Sequence, residues 1–411
     1  MSFEELQELS QSFIKLKYEP YRRYFIRQTP MLHRFSILLG ERGVGKTTTL
    51  IQNLLDFAND NPVSDKILYI QADHFLVRRM SLYEIAEKFI RFGGQFIAFD
   101  EIHKYLNWSM ELKSIFDTFP ELRIIASGSS ALEIHKGSHD LTRRAIVYHL
   151  YGLSFHEFIE LKYGLELPIY KLEEIISEHP KIAFTIIKQL EDKKLKILKL
   201  FKEYLEYGYY PYFRVFESVA EFKMTVEQNL HTTLESDLVA IYPHLTGNSI
   251  KKIKQLLVYL TQAVPFTPNW QTIKKITDIG DDRTLKTYFK YLEDASIISA
   301  LESGSEKMKR LEDPEKIFLA NTNQLFAFTS SQPNVGTLRE TFFLSNLRPI
   351  HNVTLARNTD FLVDQTYYFE VGGKNKTVAQ IKDHKRGYLA LDDIEHGVQA
   401  RIPLWLFGFL Y

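Results

Sequence analysis

The run Gly40, Glu41, Arg42, Gly43, Val44, Gly45, Lys46, Thr47, Thr48 fits the spacing G-x-x-x-x-G-K-[ST] without a mismatch. Glycines in such a turn let successive backbone N–H groups face one point, and a helix starting there adds the positive end of its dipole. The chemistry this serves is phosphate binding. Lys46 can reach β- and γ-phosphates, and Thr47 can set its hydroxyl on the magnesium ion that bridges them. A second constellation is QFIAFDEIHK, in which apolar and aromatic residues run into Asp100 and Glu101. Carboxylates at the C-terminal end of a buried parallel strand stand where open sheets bind ligands. Asp100 would hold magnesium through its water shell, and Glu101 would act as general base on the attacking water.

Weaker signals surround these two. LRIIASGSS ends in hydroxyls, so Ser127 or Ser129 can sense a γ-phosphate or serve as turn residues. Arg143 and Arg144 offer rigid forks of donors for transition-state charge, in the manner of an arginine finger, or stand as solvated surface residues. His74, His103 and His135 form no local ligand pair; no structural metal is expected, and His103 reads as a polar strand-end residue. The loop lacks the G-x-G-x-x-G spacing of dinucleotide sites.

The elements that must position these residues follow from pattern. FSILL, KILYIQAD, QFIAFDE and LRIIASGSS alternate with the helical segments TTTLIQNLLDF, LYEIAEKFIRFG and MELKSIFDTF. Such alternation predicts an α/β fold, a parallel sheet with helices on both faces. A chain of 411 residues is long enough for several domains. We divide it into a lead-in helix (1–30), the nucleotide core (31–165), a helical connector (166–225), a helix-turn-helix unit (226–300) and a small α/β unit (301–411). With Lys plus Arg at 51 and Asp plus Glu at 51, no global field favours nucleic acid or membranes. The absence of cysteine excludes disulfides and thiolate metal sites and suits a reducing compartment. The charged N-terminus lacks the apolar core of a signal peptide, and a cytoplasmic location is expected. IPLWLFGFLY, at the end, reads as a buried terminal strand.

The order and content of GERGVGKTTTL, FIAFDEIHK, IIASGSSALEI, an arginine before LSFHEF, TLKTYFKYLEDASIISAL and RETFFLSNL resemble the AAA-superfamily P-loop ATPases of bacteria and archaea that carry a conserved C-terminal domain of unknown function. The resemblance implies ATP rather than GTP, and no guanine-selective N-K-x-D motif is present. The family phrase has Gly-Arg before the LSF block, whereas here it is Thr142, Arg143, Arg144, which leaves the finger open between Arg144, the preferred residue, and Arg143. The expected function is ATP binding and hydrolysis as a conformational switch or motor for the C-terminal modules. The alternatives are an ATP-dependent DNA-binding or nuclease protein, or a nucleotide-gated protein-interaction switch with little turnover.

Two later stretches carry chemistry of their own. PNWQTIKKITDIGDDRTLKTYFKYLEDASIISALES has the outline of a winged helix-turn-helix, with Asp281 or Asp282 as cap and Leu285, Tyr288, Phe289 and Leu292 as its buried face. Arg283, Lys286 and Lys290 could be offered to DNA, but the flanking acids equally suit a wing that packs on protein. The last unit resembles the restriction-endonuclease-like fold: Glu340, Asp360 and Glu370 stand in the order of its metal ligands. Gly372 occupies the lysine position of E-x-K, and Lys374 and Lys376 sit in an expected turn, so a degenerate, non-cutting fold is favoured.

Overall fold

Buried strands that run without polar interruption need cover on both faces, and helices supply it here. The computed structural model describes residues 3–131, 141, 143–263, 270–302, 315–328 and 332–411. Thr142 and His135 therefore lie outside the described residues. The chain divides into two units, Met1–Tyr151 with Thr232–Leu245, and Gly152–His231 with Thr246–Tyr411.

Unit 1 contains, in order, α1 (Phe3–Leu16), α2 (Tyr24–Gln28), β1 (Phe35–Gly40), α3 (Lys46–Phe57), β2 (Ile67–Gln71), α4 (Leu82–Arg91), β3 (Phe96–Asp100), α5 (Trp108–Thr118), β4 (Arg123–Ser129) and β5 (Ile146–His149). The five strands form one parallel sheet in the order β2-β3-β4-β1-β5. Every residue of β1 and β3 is buried, as expected for strands covered on both faces. Leu50, Ile51, Leu54 and Leu55 bury one side of α3, and the helix passes over β4 to lie on β3 and β2. Strand β2 would be an open edge. The helix α1 covers it, burying Phe3 and Leu6 in the core, and Ser10 Oγ accepts the Tyr69 N–H at 2.8 Å. The sequence pattern did not announce β5, whose side chains are exposed or half-buried and so give no apolar run.

Unit 2 opens with α6 (Phe155–Tyr163), α7 (Leu172–Glu191) and α8 (Ile197–Glu203). A π-helical turn, Tyr204–Gly208, follows, and the buried Asn323 side chain binds it by donating to the carbonyls of Tyr204 and Leu205 at 3.2 and 3.0 Å. Then comes α9 (Val219–Thr232), which continues through a second π-helical turn, Thr233–Asp237, into α10 (Leu238–Ile241) of unit 1. The rest of unit 2 is α11 (Gly247–Ala263), α12 (Trp270–Thr277), α13 (Asp282–Asp294), the antiparallel pair β6 (Ile298–Leu301) and β7 (Lys316–Leu319), α14 (Thr322–Phe328), α15 (Val335–Leu347), and a mixed sheet. That sheet comprises β8 (Val353–Leu355), β9 (Phe361–Val363), β10 (Tyr367–Gly373), β11 (Gly387–Asp392) and β12 (Arg401–Pro403), with β8, β9 and β10 antiparallel and β10, β11 and β12 parallel. On α13, Leu285, Tyr288, Phe289 and Leu292 are buried as the spacing predicts, and Asp281 is the cap, accepting the Thr284 N–H at 3.0 Å.

The terminal run corrects its expectation. Only Arg401–Pro403 is strand; Leu404–Phe409 is a 3-10 helix, buried throughout. A fully buried apolar run has no period to separate strand from helix. Phe407 is thereby brought to Phe343 of α15, ring centroids 4.9 Å apart. Among the described residues, no helix is long and apolar enough to cross a membrane.

Candidate nucleotide site

The loop between β1 and α3 needs its glycines for two different reasons. Gly43 and Gly45 have φ of 85° and 103°, where a side chain is strained. At Gly40 the cause is space, since a Cβ there would stand 2.3 Å from the Leu150 carbonyl oxygen. Val44 is fully buried, and its carbonyl accepts from Arg23 Nη1 at 3.0 Å; the same nitrogen donates to Tyr151 O at 2.7 Å. Arg23, unmarked in the sequence, thus fixes the loop from the lead-in segment. Gln52 of α3 secures that segment in turn, donating to the carbonyls of Glu19 and Tyr21 at 2.7 and 2.8 Å.

Lys46 is buried, and its ammonium donates to Gly40 O and Glu41 O, both at 2.9 Å. Burial lowers its pKa, partly offset by the carboxylates of Glu101, Asp100 and Asp237. Thr47 Oγ1 donates to Asp100 Oδ2 at 2.6 Å, across a sequence separation of 53 residues. Tyr69 OH also donates to Asp100 Oδ2 at 2.6 Å, and burial with that carboxylate pushes its phenol pKa up. Asp100 Oδ1 accepts from Ser127 Oγ and, at 3.1 Å, from the Glu101 N–H. Ser127 therefore serves the carboxylate from the intervening strand, and Ser129 contributes its backbone N–H to His103 Nδ1 at 3.3 Å. Thr48 is half-buried at the first turn of α3.

Glu101 occupies left-handed backbone, φ 54°, a conformation that costs a non-glycine residue about 1–2 kcal/mol. Its N–H reaches Ser127 Oγ at 3.1 Å, and its carboxylate is 22% exposed, whereas Asp100 is buried. Lys104 Nζ stands 3.6 Å from Glu101 Oε2 and pairs with Asp73 at 2.8 Å.

This donor set fits a magnesium nucleotide. A hydroxyl and a carboxylate oxygen meet at 2.6 Å, the hard-oxygen pair that magnesium takes directly or through water. Beside them lies a buried ammonium with only carbonyl partners among its hydrogen bonds, which an anion would complete.

Within one chain, the two candidate finger arginines stand away from the phosphate loop. Arg144 forms a two-pronged pair with Asp117, Nε to Oδ1 at 2.8 Å and Nη2 to Oδ2 at 2.9 Å. It precedes β5, whose Ile146 lies opposite Ser36 at the start of β1, while the phosphate loop follows the other end. From Ser36 to Gly40 is roughly 13 Å of strand. Arg143 is exposed next to it. Parallel strands put the arginines and the phosphate loop at opposite ends of the sheet, a fact that spacing in sequence did not reveal.

His103, read as a polar strand-end residue, lies just after β3 and is buried. With Nδ1 accepting the Ser129 N–H, its proton resides on Nε2, which faces Glu101 Oε2 and Asp237 Oδ1, each at 3.5 Å, and is hydrogen-bonded to neither. These three residues have the spacing of a metal group, but a protonated Nε2 cannot ligate.

In unit 2, Glu340, Asp360 and Glu370 do converge, but lysines accompany them. Lys316 Nζ lies 2.6 Å from Glu340 Oε2 and 4.0 Å from Asp360 Oδ1, and Lys376 Nζ lies 2.5 Å from Glu370 Oε1. The turn after β10 thus folds back far enough for Lys376 to reach the acid, whereas the Lys374 carbonyl accepts from Arg401 at 2.6 Å. Beside Gly372, a Cβ would crowd the Lys376 stem at 2.9 Å. Burial raises the Glu340 and Glu370 pKa values, and Asp360 raises both further against the lysines. A carboxyl whose folded pKa exceeds its unfolded value costs stability at neutral pH and regains it as pH falls through the folded value. Local stability at β10, read by amide exchange, is expected to rise from about pH 7 toward 4.5. The double variant Glu340→Gln, Glu370→Gln should flatten that slope.

The α13 bases divide in their settings. Arg283 is exposed beside the exposed Asp281 and Asp282, Lys290 is half-buried, and the Lys286 ammonium lies 5.8 Å from the centre of the Trp270 ring.

Residues 33–159 match the family model of an AAA domain, and residues 198–332 match that of a domain of unknown function (DUF8612). No curated protein matches the chain. Among solved structures, the ORC1 protein of Aeropyrum pernix in complex with DNA is similar at 11% identity, covering 79% of this chain and 91% of that one, with a TM-score of 0.30. AMPPCP-bound DnaA from Aquifex aeolicus is similar at 16% identity, covering 71% and 88%, with a TM-score of 0.28. Likenesses this loose carry no functional conclusion; the domain match and the sheet with its loop do the identifying. The chain carries an AAA domain over residues 33–159, followed by a domain of unknown function over residues 198–332.

Proposed function

We propose that unit 1 binds MgATP and hydrolyses it. The supporting observation is the 2.6 Å meeting of Thr47 Oγ1 with Asp100 Oδ2 beside the buried Lys46 ammonium. In this reading the amides from Gly43 to Thr48 and the Lys46 ammonium hold the β- and γ-phosphates. Magnesium, when bound, supplies positive charge to the phosphate oxygens, and Thr47 and Asp100 are the residues that would hold it. Tyr69 and Ser127 orient Asp100. Glu101 takes a proton from the attacking water; the water oxygen bonds to the γ-phosphorus as the bond to the β-phosphate oxygen breaks and ADP leaves. Arg144 completes the charge only if it reaches the site of a second copy. Mixing Glu101→Gln with Arg144→Ala protein tests that: recovered turnover supports a shared site, and none at any concentration counts against it. Magnesium-dependent release of phosphate from ATP, lost in Lys46→Met, tests the whole reading.

The use of the cycle, in this proposal, is to switch the modules of unit 2. In this reading helices α12 and α13 with β6 and β7 serve as a winged helix, and the mixed sheet with α15 serves as a restriction-endonuclease-like module. Lysine ammonium groups already neutralise its acids, which favours a non-cutting module. Cleavage of duplex or single-stranded DNA in magnesium or manganese would refute that part. Salt-dependent DNA binding, with a log–log slope near −0.9 per phosphate contacted, would support the DNA-binding alternative.

A further inference from the structure

Arg42 stands inside the phosphate loop, and its partner comes from far along the chain. Arg42 Nη2 donates to both oxygens of Asp237, at 2.9 and 3.1 Å, across 195 residues. The Asp237 side chain is only 4% exposed and also faces His103 Nε2 at 3.5 Å, the same distance that separates that nitrogen from Glu101 Oε2. Burial alone would raise the Asp237 pKa, but His103 and Arg42 outweigh it and hold the carboxyl below its ordinary range. One carboxylate therefore touches the loop directly and, through one buried histidine, faces the residue that would activate water. It ends the π-helical turn Thr233–Asp237, and such turns cost helix regularity and recur at functional sites.

We propose that Asp237 is a positioning residue of the nucleotide site, and that through it the segment Thr232–Leu245 follows the state of the phosphate loop. The inference rests on the reading that unit 1 binds MgATP. Its cause lies in Lys46. That ammonium now donates to the carbonyls of Gly40 and Glu41, and Glu41 is the residue immediately before Arg42. An anionic phosphate is the stronger partner for Lys46, so binding releases those carbonyls and reshapes the backbone that carries Arg42. Asp237 must then move with Arg42 or lose it. If it moves, the Nε2 proton of His103 is left to Glu101; if it loses Arg42, a buried carboxylate is left with only that proton. Either outcome changes the segment, and both ends of the segment continue into unit 2, so the change is delivered along the chain itself. The partner of the nucleotide site is thus a stretch of this chain.

Amide hydrogen exchange on the full chain, with and without magnesium and a non-hydrolysable ATP analogue, tests this. In the wild type, residues 40–48 should gain protection and residues 233–241 should change their exchange rates by at least about threefold. In Asp237→Asn and in Arg42→Gln the loop should still be protected while the response of 233–241 is lost. Turnover in both should fall by about tenfold or more, with affinity for the analogue within about threefold of wild type. A protected loop with an unchanged segment in the wild type overturns the inference and leaves the nucleotide reading intact. So does a segment that responds as fully in Asp237→Asn as in wild type. No protection of either region overturns the nucleotide reading and the inference with it. Should Asp237→Asn fail to fold, the wild-type comparison and Arg42→Gln still decide.

Discussion

Glu101→Gln is expected to lower phosphate release by about 10²- to 10⁴-fold, the usual worth of a positioned general base, while MgATP affinity stays within about threefold. Glutamine keeps the size and the left-handed backbone of the residue, so Asp100 and Ser127 retain their contacts with its N–H. What is lost is a proton acceptor. Affinity should hold because the residues proposed to grip phosphate, Lys46 and the loop amides, do not depend on that side chain for a hydrogen bond. Steady-state phosphate release beside equilibrium binding separates the two quantities. A fall of less than about tenfold would take the role of base away from Glu101.

Lys46→Met should weaken MgATP binding by about 100-fold, as expected for losing a charge-assisted bond of roughly 2–3 kcal/mol. It should also raise the Tm of the nucleotide-free protein. Burial lowers the Lys46 pKa on folding, so the charged form costs stability at neutral pH, and the cost is relieved only as pH rises through the folded value. Methionine of similar length fills the same space without a charge. The gain should therefore shrink at high pH, where the wild-type lysine sheds its proton in the folded state. Thermal unfolding of both proteins across that range reads it, and a methionine variant less stable than wild type at neutral pH would show that the two carbonyl bonds outweigh desolvation.

Legibility in the sequence followed the range of the interactions. The loop from Gly40 to Thr48 and the pair Asp100, Glu101 were readable because strand, turn and helix signals surround them within a few residues. Strands β1 to β4 were readable because burial on both faces leaves runs of mostly apolar residues. Tyr69, Arg23 and Asp237 gave no such signal: each reaches the site through contacts distant in sequence, and a tyrosine inside an apolar strand looks like any core residue. The setting of Arg144 was not readable, because proximity in sequence to β5 says nothing about which end of the sheet it occupies. Lys376 was read as a turn residue, and only the fold-back after β10 carries it to Glu370.

Calorimetric titration of the full chain with ATP, in magnesium and then in excess chelator, addresses the nucleotide site most directly. Saturable binding of one ATP per chain is predicted, strengthened by magnesium and reduced about 100-fold in Lys46→Met. Absence of binding at millimolar ATP with magnesium, or equal affinity in wild type and Lys46→Met, would contradict it.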